Sequence, residues 1–124
     1  MKEILFRGKR VDNGKWTEGY FFKSWNKVFL LWGMTGDCPN MEEVIPETVG
    51  QSTSLTDKNG KKIFEGDILL KGFEKVSVKW NANQCRWGIY SNNYEICGFN
   101  ESTQGYFEVI GNIYDNSELL EVEK

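Results

Sequence analysis

The chain has 124 residues, a net charge of −3 and no histidine. Its length predicts one compact domain, and the lack of histidine excludes imidazole acid–base catalysis, Ser-His and Cys-His nucleophiles and imidazole-ligated zinc. No apolar run approaches the ~18 residues of a transmembrane helix, so we expect no membrane partner. Aromatic residues make up 15% of the chain, which favours β-strands.

The amino-terminal residues predict a β-hairpin. Ile4-Leu5-Phe6 predicts a first strand, and Asn13-Gly14 predicts a tight turn into a second strand over residues 16–23. Alternation along the second strand separates Trp16, Glu18, Tyr20 and Phe22 from Thr17, Gly19, Phe21 and Lys23. Because the first of these two faces is mostly aromatic, we expect it to point into the core.

The following stretch predicts one clear strand. Residues 24–27 predict a turn and residues 28–32 a strand, whereas glycine and proline predict irregular structure over residues 33–40. Residues 41–46 form a short acidic and apolar segment that is predicted to pair as a strand.

The central stretch, residues 52–70, predicts two strands separated by turns. Asn59-Gly60 is a tight-turn sequence, and residues 61–64 then form a short strand with Ile63 pointing inward. A bend at Gly66 leads into residues 68–70, an apolar run typical of a strand covered on both faces.

The remaining residues predict an antiparallel meander. Residues 74–80 alternate as a half-solvated strand, and residues 86–91 and 94–99 predict a hairpin around Asn92-Asn93. Residues 105–114 predict a last strand that is interrupted at Gly111, and residues 115–120 predict a short helical turn. The chain is therefore predicted to be an all-β domain of antiparallel hairpins over residues 1–124, with subdomains at 1–50 and 51–124.

The three cysteines, Cys38, Cys85 and Cys97, are an odd number in a chain without a recognisable signal peptide. This pattern predicts reduced thiols and a cytoplasmic location. One disulfide between Cys85 and Cys97, on neighbouring strands, stays open as an alternative. No Cys-x-x-Cys pair is present, so neither a metal nor a cofactor is predicted.

Carboxylates cluster in the central stretch, at Asp57, Glu65 and Asp67. An EF-hand that began at Asp57 would need glycine at position 6 and glutamate at position 12, but Gly60 falls at position 4 and Glu65 at position 9. The cluster is therefore interpreted as a solvated turn in which Asp67 caps backbone amides. A carboxylate active site at Glu65 and Asp67 is the weaker alternative.

Basic and aromatic side chains are mixed in the first third of the chain. Residues 1–36 carry seven basic and three acidic side chains, whereas residues 80–124 carry two basic and seven acidic ones. Aromatic rings within a positive groove can stack on single-stranded nucleic acid. The candidate residues for such a site are Arg7, Lys9, Arg10, Lys15, Trp16, Lys23, Trp25 and Lys27. The alternative places the aromatic residues in the core and the lysines along a solvated edge.

Three blocks of the sequence together resemble the YopX family of small proteins from phages and prophages of Gram-positive bacteria. They read KEILFRGKRVDNGKWTEGYF, TSLTDKNGKKIFEGDILL and FEVIGNIYDNSELLE. The family usually has Gly where this chain has Ser54, and Pro where it has Ser117. The resemblance implies an all-β fold with an SH3-like barrel component, a cytoplasmic phage product and no established biochemical activity.

The functional prediction is a non-enzymatic β protein that acts through contact with another protein or with further copies of itself. It depends on the aromatic content, the missing catalytic groups and the expected exposed strand edges. The alternative is a nucleic-acid-binding module that uses the basic and aromatic amino-terminal hairpin.

Overall fold

The computed structural model describes residues 4–91 and 94–120, which form eleven β-strands and three short 3-10 turns. The strands are β1 (Phe6–Lys9), β2 (Trp16–Ser24), β3 (Lys27–Thr35), β4 (Cys38–Val44), β5 (Gly50–Thr56), β6 (Lys62–Phe64), β7 (Asp67–Lys71), β8 (Glu74–Asn81), β9 (Arg86–Ser91), β10 (Tyr94–Gly98) and β11 (Glu108–Asn112). The chain divides into two compact units, Met1–Ser52 and Thr53–Lys124, and β5 runs from the first into the second. The all-β prediction is confirmed.

The first unit is an antiparallel sheet in the order β4-β3-β2-β1-β5. Gly14, with φ +71°, closes the predicted turn between β1 and β2, where the left-handed conformation favours glycine. Strand β2 begins at Trp16 as predicted and extends one residue further, to Ser24.

The core of the first unit lies on the face of β2 that was not predicted to be buried. Val28, Leu30 and Val44 are buried there, and Phe21 pairs with Leu30 across β2 and β3. The prediction that the face with Trp16, Glu18, Tyr20 and Phe22 forms the core is wrong. Those residues are half-buried or exposed, because the buried residues of β3 and β4 lie behind the opposite face of β2.

The prediction of irregular structure over residues 33–40 is also wrong. Strand β3 continues to Thr35 and β4 begins at Cys38, so that only Gly36 and Asp37 turn the chain. A shift in register between Leu31 and Gly33 accommodates the extra residue as a β-bulge. The glycines that suggested a break therefore serve a bulge and a turn within a continuous hairpin.

The second unit contains an antiparallel sheet in the order β10-β9-β8-β7-β11, together with the end of β5 paired with β6. Its core contains seven buried side chains: Ile63, Leu69, Val76, Val78, Ile89, Phe99 and Phe107. The inward position of Ile63 is confirmed, and of the run over residues 68–70 that was predicted to be covered on both faces, Ile68 and Leu69 are buried whereas Leu70 is half-buried. The register shift between Val109 and Gly111 confirms the predicted interruption of the last strand, but the strand is shorter than the predicted residues 105–114, because Gln104–Tyr106 form a 3-10 turn.

Two predictions about the second unit need correction, and a third concerns residues that the structure does not describe. Its sheet is open, with β10 and β11 at the edges, so the described strands do not form the closed SH3-like barrel that the resemblance implied. The predicted helical turn is a 3-10 turn, Ser117–Leu120. The Asn92-Asn93 turn lies outside the described residues.

The cysteines are all free, so the alternative of a Cys85–Cys97 disulfide is wrong. Cys85 lies exposed in the turn before β9, whereas Cys97 lies half-buried on β10 and pairs with Ile89. Among residues 4–91 and 94–120, no helix is long and apolar enough to span a membrane.

Candidate functional site

The most unusual surface of the first unit is the face of its sheet opposite the core. Cross-strand register aligns Tyr20, Leu31 and Met41 in one row and Phe22 with Phe29 in the next. We call these five residues the open-face patch. Residues that are paired across neighbouring strands share a face, so the five side chains form one continuous surface.

Solvent reaches much of this surface. Tyr20, Phe22 and Met41 are 47%, 49% and 42% exposed, and Phe29 and Leu31 are half-buried. The rings of Phe22 and Phe29 pack against each other with centroids 6.3 Å apart. Contiguous exposed apolar surface of this kind marks interaction sites more often than scattered single residues do.

Charged residues of both signs border the open-face patch. Arg7 and Lys9 on β1 lie over the ring of Trp16, with 4.8 Å and 5.6 Å between the charged groups and the ring centroid. Glu18 is the cross-strand partner of Arg7, and Glu43 follows Phe29 in the second row. An apolar centre with a mixed charged rim is the usual anatomy of a protein–protein interface.

The structure divides the eight residues that were predicted for nucleic-acid binding. Arg7, Lys9 and Trp16 lie together beside the open-face patch. Lys23, Trp25 and Lys27 lie at the tip of the β2–β3 hairpin, whereas Lys15 is exposed at the start of β2. The sequence could not separate these two groups, because all eight residues fall within 21 positions of one another.

Arg10 belongs to neither group. Its Nη2 atom lies 2.8 Å from Asp12 Oδ2 and 3.1 Å from Glu42 Oε2. These two carboxylates neutralise the positive charge of Arg10, which a phosphate group would need for binding. Arg10 therefore supports the β1–β2 turn and the adjacent strand β4.

The carboxylates of the central stretch have structural positions. Asp57 and Asp67 are 5% and 1% exposed, so the interpretation as a solvated turn is wrong for both. The predicted capping by Asp67 is confirmed, because its Oδ2 accepts a hydrogen bond of 2.8 Å from the Phe64 backbone. Among the described residues, no three Cys, Asp or Glu side chains are grouped as metal ligands would be.

Asp57 is held by backbone groups from two parts of the second unit. Its Oδ1 accepts hydrogen bonds of 2.8 Å from the Asn59 and Lys61 amides, and its Oδ2 accepts one of 3.0 Å from Val109. Burial works to raise the pKa of this carboxyl, but the three amides and the charge of Lys61 outweigh burial and lower the pKa. Asp57 is thus a fixed anion that joins the turn to β11.

Glu95 is a second carboxylate whose pKa is shifted. Hydrogen bonds from Asn81 and Arg86 lower its pKa, and they link β8, β9 and β10 on one face of the sheet. A small depression of about 40 Å³ in the same unit is lined by Val76, Ile89, Phe107 and Cys97, among others. Substrate pockets are commonly ~300–1,000 Å³, so this depression is far too small for one.

The sequence prediction missed Phe29, Leu31 and Met41 as surface residues. Phe29 and Leu31 lie in an apolar run that reads as a buried strand, and Met41 lies in a segment with no clear alternation. The useful indication was that Val28 and Leu30 are two residues apart and therefore share one face of the strand. Phe29 and Leu31 then lie on the other face.

Comparisons with known proteins agree over nearly the whole chain. The family model described as YopX protein matches residues 5–121. A solved crystal structure, protein EF1440 from Enterococcus faecalis, is 25% identical and has a TM-score of 0.60. That match covers 98% of this chain and 100% of the other. None of the curated proteins compared with the chain matches it.

Proposed function

This chain belongs to the YopX family, and we propose that it is a non-enzymatic binding module that docks through the open-face patch onto another protein or a second copy of itself. The observation that carries this proposal is the continuous apolar surface in which Tyr20, Phe22 and Met41 stay 42–49% exposed. The proposal assigns no catalysis, since the chain has no histidine. A cytoplasmic site of action in a phage or prophage context follows from the family resemblance.

The chemistry of the open-face patch fits a protein better than a nucleic acid. Its centre includes Leu31 and Met41, which have no planar ring on which a base could stack. Glu18 lies on the same face, beside Tyr20, and would repel a phosphate backbone. Apolar side chains of a protein partner carry no charge, so carboxylates on this face would not repel them.

The size of the patch sets what the partner must provide. A stable interface buries ~800 Å² on each partner, more than five half-exposed side chains offer. The rim around Arg7, Lys9 and Trp16 is therefore part of the contact, and its charges fix the orientation of the partner. The apolar centre supplies most of the affinity, because few central residues usually dominate binding.

The test is a pair of substitutions in the first row of the patch, Tyr20→Ser with Met41→Ser. Both side chains are nearly half exposed, so the fold tolerates the change while the apolar centre is lost. We expect concentration-dependent sedimentation of the wild-type protein, or capture of a host protein on immobilised wild type, to weaken at least tenfold in the variant.

The matched control is Phe73→Ser with Tyr94→Ser, which removes two aromatic side chains that are 103% and 82% exposed in the second unit. This control should behave like the wild type. A wild-type protein that stays monomeric at every concentration, and that captures the same proteins as the Tyr20 and Met41 variant, would contradict the proposal.

A further inference from the structure

The tip of the β2–β3 hairpin presents a tryptophan to solvent. Ser24 pairs with Lys27, so the turn consists of Trp25 and Asn26 alone. Trp25 is 93% exposed. A fully exposed indole gains nothing from the core of its own protein, so folding does not explain its presence.

The backbone conformation of Trp25 is also unfavourable. Its φ is +56°, a region that side chains with a Cβ rarely occupy. Asn26 is not among the described residues with positive φ, so the turn has positive φ at its first position only. Two-residue hairpins with this pattern prefer glycine at that position. The chain thus holds a large aromatic side chain where glycine would be more stable, and strain of this kind is concentrated at functional sites.

The charges around Trp25 are positive. Lys23 and Lys27 flank the turn and are exposed, and residues 19–36 contain no acidic side chain. Lys23 pairs with Val28, whose side chain is in the core, whereas Lys27 pairs with Ser24 on the opposite face. Lys23 and Lys27 therefore lie on opposite faces of the strand pair, on either side of the turn that carries Trp25.

We propose that this tip is a binding site for single-stranded nucleic acid, in which Trp25 stacks on a base and Lys23 and Lys27 contact the phosphates on either side. Stacking needs an accessible aromatic face, and the phosphate backbone needs nearby cations. The three residues of this site are not members of the open-face patch, and the proposal does not depend on the function proposed for that patch.

The geometry favours this tip over the other basic group of the first unit. There, the Trp16 ring already lies under Arg7 and Lys9, and Glu18 is the cross-strand partner of Arg7. At the tip, the Glu43 carboxylate lies 4.0 Å from the Lys27 ammonium group, at the limit of an ion pair. An exposed pair at this distance attracts weakly, so a phosphate can displace it.

The first measurement is the fluorescence anisotropy of labelled oligothymidylate and oligouridylate at low salt, titrated with the full chain. We expect binding of at least one probe by the wild type. Trp25→Gly should weaken that binding about 5- to 100-fold, the range expected for the loss of one base stack. Trp25→Phe should retain most of the affinity, because it keeps an aromatic face.

The same variant controls for folding. Trp25→Gly removes the unfavourable backbone conformation, so its melting temperature should rise above that of the wild type while its affinity falls. Phe73→Ser removes an equally exposed aromatic residue next to Glu74, at the β7–β8 turn, and should leave binding unchanged.

The lysines are tested by the dependence of binding on salt. Lys23→Gln with Lys27→Gln should reduce the slope of log affinity against log salt by about 1.4, about 0.7 for each lost phosphate contact with a single strand. Glu43→Gln should strengthen binding, since it removes the carboxylate that pairs with Lys27.

Two results would overturn the proposal. One is the absence of binding to either probe at low salt, which would leave Trp25 as an anchor for a protein partner. The other is binding that Trp25→Gly does not change, which would place the nucleic acid elsewhere on the chain. The Tyr20→Ser and Met41→Ser variant should bind the probes like the wild type, so each proposal can fail without the other.

Discussion

Ser54 and Trp25 both adopt a backbone conformation that favours glycine. Their φ angles are +66° and +56°. The resemblance to the YopX family implies glycine at the position of Ser54, and the positive φ of Ser54 is the conformation that glycine would adopt without strain. A side chain with a Cβ in this region destabilises the fold by ~1–2 kcal/mol.

We predict that Ser54→Gly raises the free energy of unfolding by about 1 kcal/mol, because glycine removes the steric conflict but has more freedom in the unfolded chain. Urea unfolding followed by tryptophan fluorescence measures the change. Ser24→Gly is the control, since Ser24 is not among the described residues with positive φ, and we expect it to lower stability by ~0.5–1 kcal/mol. A loss of stability in Ser54→Gly would contradict the argument.

Between β2 and β3, a glycine allows two strands to approach closely. A Cβ added at Gly19 would lie 2.5 Å from the Leu31 carbonyl oxygen, next to the bulge between Leu31 and Gly33. The neighbouring atoms belong to the backbone, which cannot move without disturbing the strand pair. A side chain at residue 19 would therefore collide with the backbone of β3 beside the bulge.

Gly19→Ala should therefore destabilise the first unit by about 2–3 kcal/mol, as overpacking a well-packed core does. The control is Gly33→Ala on the neighbouring strand, where the nearest atom to an added Cβ is the Asn40 side-chain nitrogen at 3.8 Å. Thermal unfolding of the two variants should differ clearly. Equal melting temperatures of the two variants would contradict this prediction, because they would show that β2 and β3 can move apart without a loss of stability.

On the scale of the second unit, one buried carboxylate links distant parts of the chain. Asp57 accepts hydrogen bonds from its own turn and from Val109, 52 residues away. Because these contacts lower its pKa below the ordinary value near ~3.9, the folded state binds this proton less readily than the unfolded state does. The stabilisation is complete above the unfolded pKa and is lost as the pH falls through the folded pKa.

We predict that Asp57→Asn lowers the free energy of unfolding by about 2 kcal/mol at neutral pH, because an amide can accept at only one of the two oxygen positions. Stability of the variant should also change less than that of the wild type as the pH falls from ~5 towards ~2. Urea unfolding across this range tests both expectations. Asp12→Asn, which removes an exposed partner of Arg10, should have little effect, and equal acid sensitivity in the Asp57 variant and the wild type would contradict the account.

For the candidate sites, the sequence located some residues and misplaced others. The basic and aromatic residues of the first third were identified, but they separate into a group beside Trp16 and a group around Trp25. The apolar residues of the open-face patch were assigned to the core or not assigned. Residue type alone does not show whether an aromatic side chain faces the core or solvent, because both positions suit a strand.

For the whole molecule, the sequence by itself determined the β class, most strand positions and several turns. Alternation fixed the bounds of β8 closely, and Ile63 was correctly expected inside. These features depend on neighbouring residues, since side chains alternate along a strand and Asn-Gly favours a tight turn. Only the tertiary structure decided which face of β2 is buried, because that depends on Val28, Leu30 and Val44 from other strands. In the same way, the buried Asp57 accepts a hydrogen bond from a backbone amide of β11, and no local pattern records a contact across 52 positions.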